Sequence, residues 1–259
     1  MSLIKRLKTS SVAVVLTLVT AGSANAEVIR IANDGTYPPF SSIDSEGKLQ
    51  GFDIEIAKAL CTAMNAECEL VVQDWEGIIP GLMAGKYDAV IASMAATPER
   101  RKSVDFTARY YTTKPGILVT KDSTIAAPSA EALAGKTIGA GASTADAAYV
   151  EAHLVESDLR LYPTPAEIRA DLISGRIDAA IGDVIELSEF LKTEDGACCK
   201  LLGALPPDPE VYGADVSIAV AKGNDALRER FDAAIMKIRA DGTYKEINDR
   251  YFDIDIYGD

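Results

Sequence analysis

Two predicted strand ends carry polar residues at matching places of a repeated segment. The twelve residues 82–93, LMAGKYDAVIAS, recur 90 positions later at 172–183 as LISGRIDAAIGD. Each copy reads as a helix end, a glycine, a basic residue, an aspartate and a short apolar run, a pattern typical of a buried parallel strand that follows a helix. The copies end at Ser93 and Asp183. Because ligands bind at the carboxyl ends of strands in open α/β sheets, we expect these side chains to face each other across a cleft. The alternative is a chance match between two ordinary helix–strand units.

Short apolar strands alternate with helical patterns along most of the chain. These patterns predict strands at 28–32, 70–72, 89–92, 117–120, 136–140, 159–162, 179–181 and 216–221, and helices at 53–65, 76–84, 145–155, 165–174, 184–191, 226–239 and 244–251. The alternation predicts an α/β protein with a doubly wound sheet, and its restart near residue 113 indicates a second lobe. The residues from Lys222 onward are too few for a third domain and are expected to pack on the first lobe.

Two strand-like crossings, near 113–117 and 212–217, are expected to join the lobes and to act as a hinge. The predicted first lobe therefore comprises residues 27–113 and 217–259, and the predicted second lobe comprises residues 114–216.

The first 26 residues have the features of a secretory signal peptide. Lys5, Arg6 and Lys8 precede an apolar run at 12–19, and residues 24–26, Ala-Asn-Ala, fit the small-x-small cleavage pattern. The run is shorter than the roughly 20 apolar residues that a transmembrane helix needs. We therefore expect export to the periplasm, with cleavage after Ala26.

The chain is acidic. Its formal net charge is −13 at pH 7, and removal of the signal peptide would take away three basic residues and no acids. This balance argues against nucleic acid and anionic membrane surfaces as partners. It favours a cationic or zwitterionic ligand, although acidity also keeps exported proteins soluble.

All four cysteines lie after the predicted signal peptide. Cys61 and Cys68 are seven positions apart, and an oxidising compartment favours a disulfide between them over two free thiols. Cys198 and Cys199 are adjacent, which leaves open a vicinal disulfide or two separate thiols. His153 is the only histidine in the sequence, so no metal site and no cofactor are expected.

Five ordered motifs resemble one protein family and span nearly all of the chain after the signal peptide. They are DGTYPPF at 34–40, GFDIEIAKAL at 51–60, DAVIASMAATPERR at 88–101, DAAIGD at 178–183 and DGTYKEINDRYF at 241–252. The sequence resembles the periplasmic polar amino acid-binding proteins of ABC importers, solute-binding protein family 3. The strongest resemblance is to the lysine/arginine/ornithine-, histidine- and opine-binding group.

The resemblance implies a two-lobe periplasmic binding protein type II fold, with a doubly wound mixed sheet in each lobe and a two-strand hinge between them. It also implies a ligand trapped between the lobes, delivery to a membrane ABC permease and a disulfide between Cys61 and Cys68. A monomer is expected, because the hinge must open freely.

The resemblance further implies how the head group of an amino acid would be bound. Arg100 is expected to bind the carboxylate, since a guanidinium matches a carboxylate with two parallel hydrogen bonds. Asp183 is expected to accept from the ammonium. The alternative interpretations are a surface arginine beside Arg101 and Lys102, and an aspartate that caps the following helix.

Residues beside these two complete the predicted head-group site. Ala92 and Ser93 lie at the end of the first repeated strand, and Ser93 has a hydroxyl or a backbone carbonyl for the ammonium. Thr144 lies at a helix start, where a hydroxyl and backbone donors would meet the carboxylate. The alternative for Thr144 is a helix cap only.

The ligand side chain is expected to lie between two aromatic residues and beside an acid. Tyr37 and Trp75 would sandwich an aliphatic stem and hold a cation through cation–π attraction of ~0.5 to 2 kcal/mol; the alternative for Trp75 is a partly buried core position. Asp34 matches the acid that receives the side-chain cation in the basic amino acid binders, so a cationic or hydrogen-bond-donating side chain is expected.

Four residues depart from the family pattern. Ala95 and Ala145 stand where hydroxyl residues are usual, Ser143 replaces a common glycine, and Asp146 adds an acid near the cleft. The lost donors and the added acid favour a larger ligand, such as an opine or a modified arginine, over plain lysine.

Two other functions use the same fold. The first is an exported enzyme of the cyclohexadienyl dehydratase type, which needs a positioned acid or base such as Glu76 or Asp146. The second is a ligand-binding module for a membrane sensor. Since the sequence offers no convincing nucleophile–base pair, the expected function is ligand binding without catalysis.

Overall fold

The computed structural model describes residues 28–213 and 215–258; the predicted signal peptide, residues 1–26, lies outside the described residues. The strands are β1 (Val28–Asn33), β2 (Thr36–Tyr37), β3 (Ser41–Ile43), β4 (Leu49–Gln50), β5 (Glu67–Val72), β6 (Ala89–Val90), β7 (Val104–Tyr111), β8 (Pro115–Thr120), β9 (Thr137–Gly141), β10 (Asp158–Tyr162), β11 (Ala179–Asp183), β12 (Cys199–Ala204) and β13 (Val216–Ala221). The helices are α1 (Phe52–Ala63), α2 (Trp75–Met83), α3 (Ala130–Leu133), α4 (Ala145–His153), α5 (Pro165–Ile173), α6 (Val184–Phe190), α7 (Asp225–Ala240) and α8 (Thr243–Tyr251), with short 3-10 turns at Arg100–Lys102 and Asp195–Cys198.

The first lobe is built on a five-stranded mixed sheet with the order β5-β1-β6-β13-β7. The strand β1 pairs in parallel with β5 and β6, whereas β13 is antiparallel to β6 and β7. A small antiparallel sheet, β2-β3-β4, follows β1 in this lobe.

The second lobe repeats this arrangement with the order β10-β9-β11-β8-β12. Here β9 pairs in parallel with β10 and β11, and β8 is antiparallel to β11 and β12. Each lobe is therefore a doubly wound α/β unit with antiparallel pairing on one side, and the predicted fold class is confirmed.

The C-terminal helices pack on the first lobe. Phe231 and Ile235 of α7 and Tyr244 of α8 belong to the same buried apolar cluster as Phe52 and Leu60 of α1. Within this lobe Cys61 and Cys68 form a disulfide that joins α1 to β5. The second lobe has its own apolar cores on the two faces of its sheet.

Within residues 28–213 and 215–258 the chain crosses between the sheets twice, at 112–114 after β7 and between β12 and β13. Two strands and the small sheet were missed by the sequence patterns. Both missed strands, β7 and β12, lie at sheet edges. They carry polar residues such as Arg109 and Lys200 where a central strand would have apolar ones, so they lack a continuous apolar run. The short runs of β2, β3 and β4 give too little periodicity to detect.

Candidate functional site

A cleft lies between the two sheets and encloses about 990 Å³ when the open space at its mouth is included. Its lining includes most of the predicted site residues: Asp34, Tyr37, Trp75, Ala92, Ser93, Ala95, Arg100, Thr144, Ala145 and Asp183. Ser143 does not line the cleft with these residues, but its backbone carbonyl contacts Arg100.

Arg100 joins the two lobes. It begins the 3-10 turn that follows β6, and its guanidinium donates to the Ala95 carbonyl at 2.9 Å and, across the cleft, to the Ser143 carbonyl at 3.0 Å. The guanidinium carbon lies 5.2 Å from the centre of the Trp75 ring. Burial lowers the pKa of Arg100 to about 10, so the group is still a cation at neutral pH. A guanidinium has five N–H donors, and those left over from the two carbonyl bonds suit an anion in the cleft.

Asp183 is the last residue of β11 and also caps α6. Its Oδ1 accepts from the backbone N–H of Ile185 at 2.7 Å and of Glu186 at 3.2 Å, and from the Thr113 hydroxyl at 2.7 Å. Its Oδ2 has only a long contact, 3.5 Å, with the Tyr111 hydroxyl. Burial raises the pKa of Asp183 to about 7. The helix cap predicted as an alternative is therefore present, and Oδ2 still has capacity for a cationic donor.

Ser93 has an unusual backbone for a serine. Its φ of 49° lies in the left-handed region, and its hydroxyl donates to Asp53 Oδ2 at 3.0 Å. The Tyr110 hydroxyl accepts from the Ser93 N–H and donates to Asp53 Oδ1, each at 3.0 Å. Asp53 is fully buried, and burial raises its pKa to about 7. The Ser93 hydroxyl proton is therefore already donated, and this side chain has only acceptor capacity left.

The N-terminus of α4 also lines the cleft. Thr144 caps this helix: its hydroxyl accepts from the Ala147 N–H at 3.2 Å and donates to the Gly141 carbonyl at 2.7 Å. Its hydroxyl proton is thus occupied within the lobe. The remaining N–H groups of the first turn have no partner within the helix and favour an anion.

Asp34 and the two predicted aromatic residues, Tyr37 and Trp75, also line the cleft. Asp34 follows β1, accepts a short hydrogen bond from the Thr36 hydroxyl, and has its pKa raised by burial. Tyr37 stacks on the core residue Phe40 with ring centres 5.7 Å apart. Trp75 is the first residue of α2 and has the Arg100 guanidinium over its ring, so both aromatic residues are anchored by the first lobe.

Five further polar residues line the cleft but were not predicted as site residues: Thr36, Thr113, Arg169, Glu186 and Tyr212. Arg169 and Glu186 form an ion pair between α5 and α6, and the Arg169 guanidinium lies 4.2 Å from the Phe190 ring centre. Thr113 and Tyr212 come from the two crossings, which the sequence predicted as strand-like connections but not as part of the site. Asp146, noted in the sequence only as an added acid, also lines the cleft.

Metal and membrane features are absent from the described part of the chain. Residues 28–213 and 215–258 contain no group of three or more side chains that would hold a metal ion. Within the same ranges no helix is long and apolar enough to cross a membrane. Cys198 and Cys199 are free, with their sulfur atoms 3.0 Å apart.

The sequence matches a known family over most of its length. Residues 29–254 match the bacterial extracellular solute-binding proteins, family 3. The chain is 40% identical over 234 residues to the L-arginine-binding protein of Pseudomonas aeruginosa, which covers 89% of this chain and 90% of that relative. It is 36% identical over 254 residues to the histidine-binding periplasmic protein of Escherichia coli K12, covering 96% and 97%.

A solved structure also matches the whole fold. A Salmonella typhimurium periplasmic binding protein with high arginine specificity has a TM-score of 0.80 and 31% identity, covering 88% of this chain and all of that one. The chain therefore belongs to the bacterial extracellular solute-binding proteins, family 3, as its motifs predicted.

Proposed function

We propose that this protein captures a cationic α-amino acid, with arginine preferred, and delivers it to an ABC permease. The observation that supports this most directly is the separation of charges in the cleft. Arg100 lies in one lobe and Asp183 in the other, and Asp34 lies at the side-chain end. A zwitterion with a cationic side chain offers a partner for each of these groups, and an unpaired buried charge would be costly.

Each predicted site residue has a role in this proposal. Arg100 and the α4 start at Thr144 and Ala145 bind the carboxylate, and Ser143 positions Arg100 through its carbonyl. Asp183 and the Ser93 carbonyl accept from the ammonium. The side chain lies between Tyr37 and Trp75 with its cation at Asp34, while Ala92 and Ala95 leave room for it.

The charges favour arginine over an opine, which carries a second carboxylate. Arg169 is the other cation that lines the cleft among the described residues, and it is already paired with Glu186. An extra carboxylate would therefore find no unpaired cation there. The arginine- and histidine-binding relatives support the same ligand class.

Transport needs export, two mobile lobes and a free cleft. We propose that residues 1–26 are removed after Ala26, that the mature protein acts as a periplasmic monomer, and that the crossings at 112–114 and 205–215 bend to open the cleft. The lobes then comprise 27–113 with 217–259, and 114–216. The ligand would shift the open–closed equilibrium by its preference for the closed cleft.

A thermal-shift screen of the mature protein, followed by calorimetry, tests the ligand assignment. At 100 times its Kd a ligand stabilises by ~2.7 kcal/mol, or ~5 to 11 °C for a domain of this size. Arginine should give the largest shift, followed by lysine, ornithine and histidine, with octopine and glutamate below them. No shift with any amino acid, together with turnover of prephenate or arogenate, would replace the binding function by an enzymatic one.

The variant Asp34→Asn sharpens this test. It should weaken arginine binding more than glutamine binding, because an amide side chain keeps a hydrogen-bond partner whereas a guanidinium loses its counter-charge. The matched control is Asp74→Asn, since the exposed Asp74 makes no side-chain bond to its helix. Equal losses for both ligands would place the side-chain cation elsewhere in the cleft.

A further inference from the structure

Asp146 is an acid of the cleft with a buried carboxyl oxygen that has neither a hydrogen bond nor an ion pair among the described residues; Glu186 Oε1 also lacks a hydrogen bond but is ion-paired with Arg169. Asp146 is the second residue of α4 and lines the cleft beside the proposed carboxylate site. Its Oδ1 is buried and has no hydrogen-bond partner among the described residues. By contrast Asp183 accepts from Thr113 and two backbone N–H groups, and Asp34 accepts from Thr36.

The charged neighbours of Asp146 place it at the head-group end. Burial and the charge of Asp183 on β11 raise the pKa of Asp146 to about 7, although a hydrogen bond with the Tyr212 hydroxyl of the second crossing and the charge of Arg100 of the 3-10 turn lower it. Burial raises the pKa of the Tyr37 phenol, and the charges of Asp183 and Asp146 raise it further.

The charge balance of the cleft leaves Asp146 in excess. Among the residues that the structure describes, four acids and two arginines line the cleft: Asp34, Asp146, Asp183, Glu186, Arg100 and Arg169. The pair Arg169 and Glu186 cancels. A bound arginine, with a net charge of +1, satisfies Arg100, Asp183 and Asp34. An ionised Asp146 would then be an unpaired anion next to the ligand carboxylate, which is unfavourable in a buried site.

We propose that Asp146 is protonated in the ligand complex and donates a hydrogen bond from its carboxyl O–H to the α-carboxylate that Arg100 binds. The assignment rests on the proposed function. It makes Asp146 a ligand-binding residue whose protonation, and therefore whose effect on affinity, depends on the pH. The proton comes from solvent when the ligand enters an ionised site. In the complex the cleft charges then sum to zero, and the free oxygen of Asp146 has a partner.

In this proposal the affinity for arginine depends on the protonation of two acids, and pH acts on it through them in opposite directions. The ligand ammonium needs Asp183 ionised, so affinity should fall as the pH drops below about 7. The ligand carboxylate needs Asp146 protonated, so affinity should also fall as the pH rises above about 7. Wild-type affinity should therefore be highest near neutral pH and decrease ~10-fold by pH 8.5, since each pH unit changes the ratio of ionised to protonated acid tenfold.

The test compares wild type, Asp146→Asn and Asp146→Ala by calorimetry with L-arginine between pH 6 and 8.5. An asparagine has the shape of the protonated acid and an N–H donor that does not titrate. Asp146→Asn should bind as tightly as wild type at pH 7 and keep that affinity at pH 8.5. Asp146→Ala should bind ~10-fold more weakly than Asp146→Asn at each pH.

Calorimetric titrations at pH 8 in buffers of different ionisation enthalpy measure how many protons the protein takes up when arginine binds. Wild type should take up close to one proton per arginine, and Asp146→Asn none; the ligand's own titration is common to both and cancels. Identical proton counts, or a loss of affinity of tenfold or more in a folded Asp146→Asn at every pH, would overturn the role of Asp146. Absence of arginine binding by wild type at any pH would instead overturn the proposed function, and the Asp146 assignment with it.

Discussion

The two copies of the repeated segment are alike in the parts that build the sheets. Gly85 and Gly175 end the preceding helices with φ of 70° and 71°. The repeated aspartates both pin a neighbouring strand: Asp88 accepts from the Arg30 N–H at 2.9 Å and Asp178 from the Thr137 N–H at 2.8 Å. The glycines and aspartates that the two copies share therefore serve to build the sheets.

The copies differ at their last residue. In the first lobe the strand β6 stops at Val90, and the chain turns at Ser93 in a left-handed conformation held by Asp53 and Tyr110. In the second lobe β11 continues to Asp183, which begins α6. One end thus leads to Arg100, and the other ends in the carboxylate of Asp183. In the proposed function, the same scaffold presents opposite charges to the two halves of a zwitterion.

The largest expected effect is the loss of the cation on the first lobe. Arg100→Ala should weaken arginine binding by ~30- to 5,000-fold, because removal of one partner of a buried ion pair costs about 2 to 5 kcal/mol. Arg101→Ala is the matched control, since its guanidinium packs on Phe106 and donates to the Ala96 carbonyl away from the cleft. Calorimetry of both variants checks this; equal affinities would move the carboxylate to the α4 N-terminus alone.

The second effect separates the two roles of Asp183. Asp183→Asn keeps a side-chain oxygen for the α6 cap but loses the charge, so arginine affinity should drop while the fold persists. Burial raises the pKa of Asp183 from 3.8 to about 7. The folded wild type therefore holds an extra proton between these values and loses stability as the pH rises through them.

Thermal melts without ligand check the sign of that effect. The Tm of Asp183→Asn minus that of wild type should increase from pH 4 to pH 7 and stay constant above. A difference that does not change with pH would show that Asp183 is ionised throughout the folded state, and would leave the helix cap as its only contribution to stability.

The sequence predicted the scaffold better than the contacts across the cleft. Alternating patterns and ordered motifs were sufficient to predict the α/β lobes. The rule that ligands bind at the carboxyl ends of strands predicted that Ser93 and Asp183 lie at one cleft, as they do. Thr113 and Tyr212 were missed because their positions depend on how the crossings fold, which has no local periodicity. The ion pair of Arg169 with Glu186 was missed because both residues lie on helices whose polar faces normally meet solvent.

The sequence also did not predict the backbone conformation of Ser93. Nothing in the run DAVIAS indicates a left-handed serine, and Asp53 reads as an ordinary acid in the first turn of a helix. Its burial follows from the packing of α1 against the sheet, a tertiary effect. The pattern therefore located the strand end but not the network that holds it.

The smallest expected effect concerns two adjacent tyrosines of β7. Tyr110 contacts Ser93 at one strand end, and Tyr111 contacts Asp183 at the other. Tyr110→Phe leaves the Ser93 N–H without an acceptor and takes one donor from the buried Asp53. An unsatisfied buried group costs about 1 to 3 kcal/mol, so the Tm should fall by ~2 to 12 °C. Tyr111→Phe removes only the 3.5 Å contact to Asp183, which keeps three other donors, and should shift the Tm by less.

The pH dependence of the same variants identifies the cause. Because the Tyr110 hydroxyl lowers the pKa of Asp53, its removal should raise that pKa further above the unfolded value. The folded state then loses more stability as the pH rises through neutrality. The Tm loss of Tyr110→Phe should be larger at pH 8 than at pH 5, whereas that of Tyr111→Phe should change less. Equal losses for both variants at both pH values would mean that Ser93 keeps its left-handed turn without the Asp53 network, and that the asymmetry of the strand ends lies only in Arg100 and Asp183.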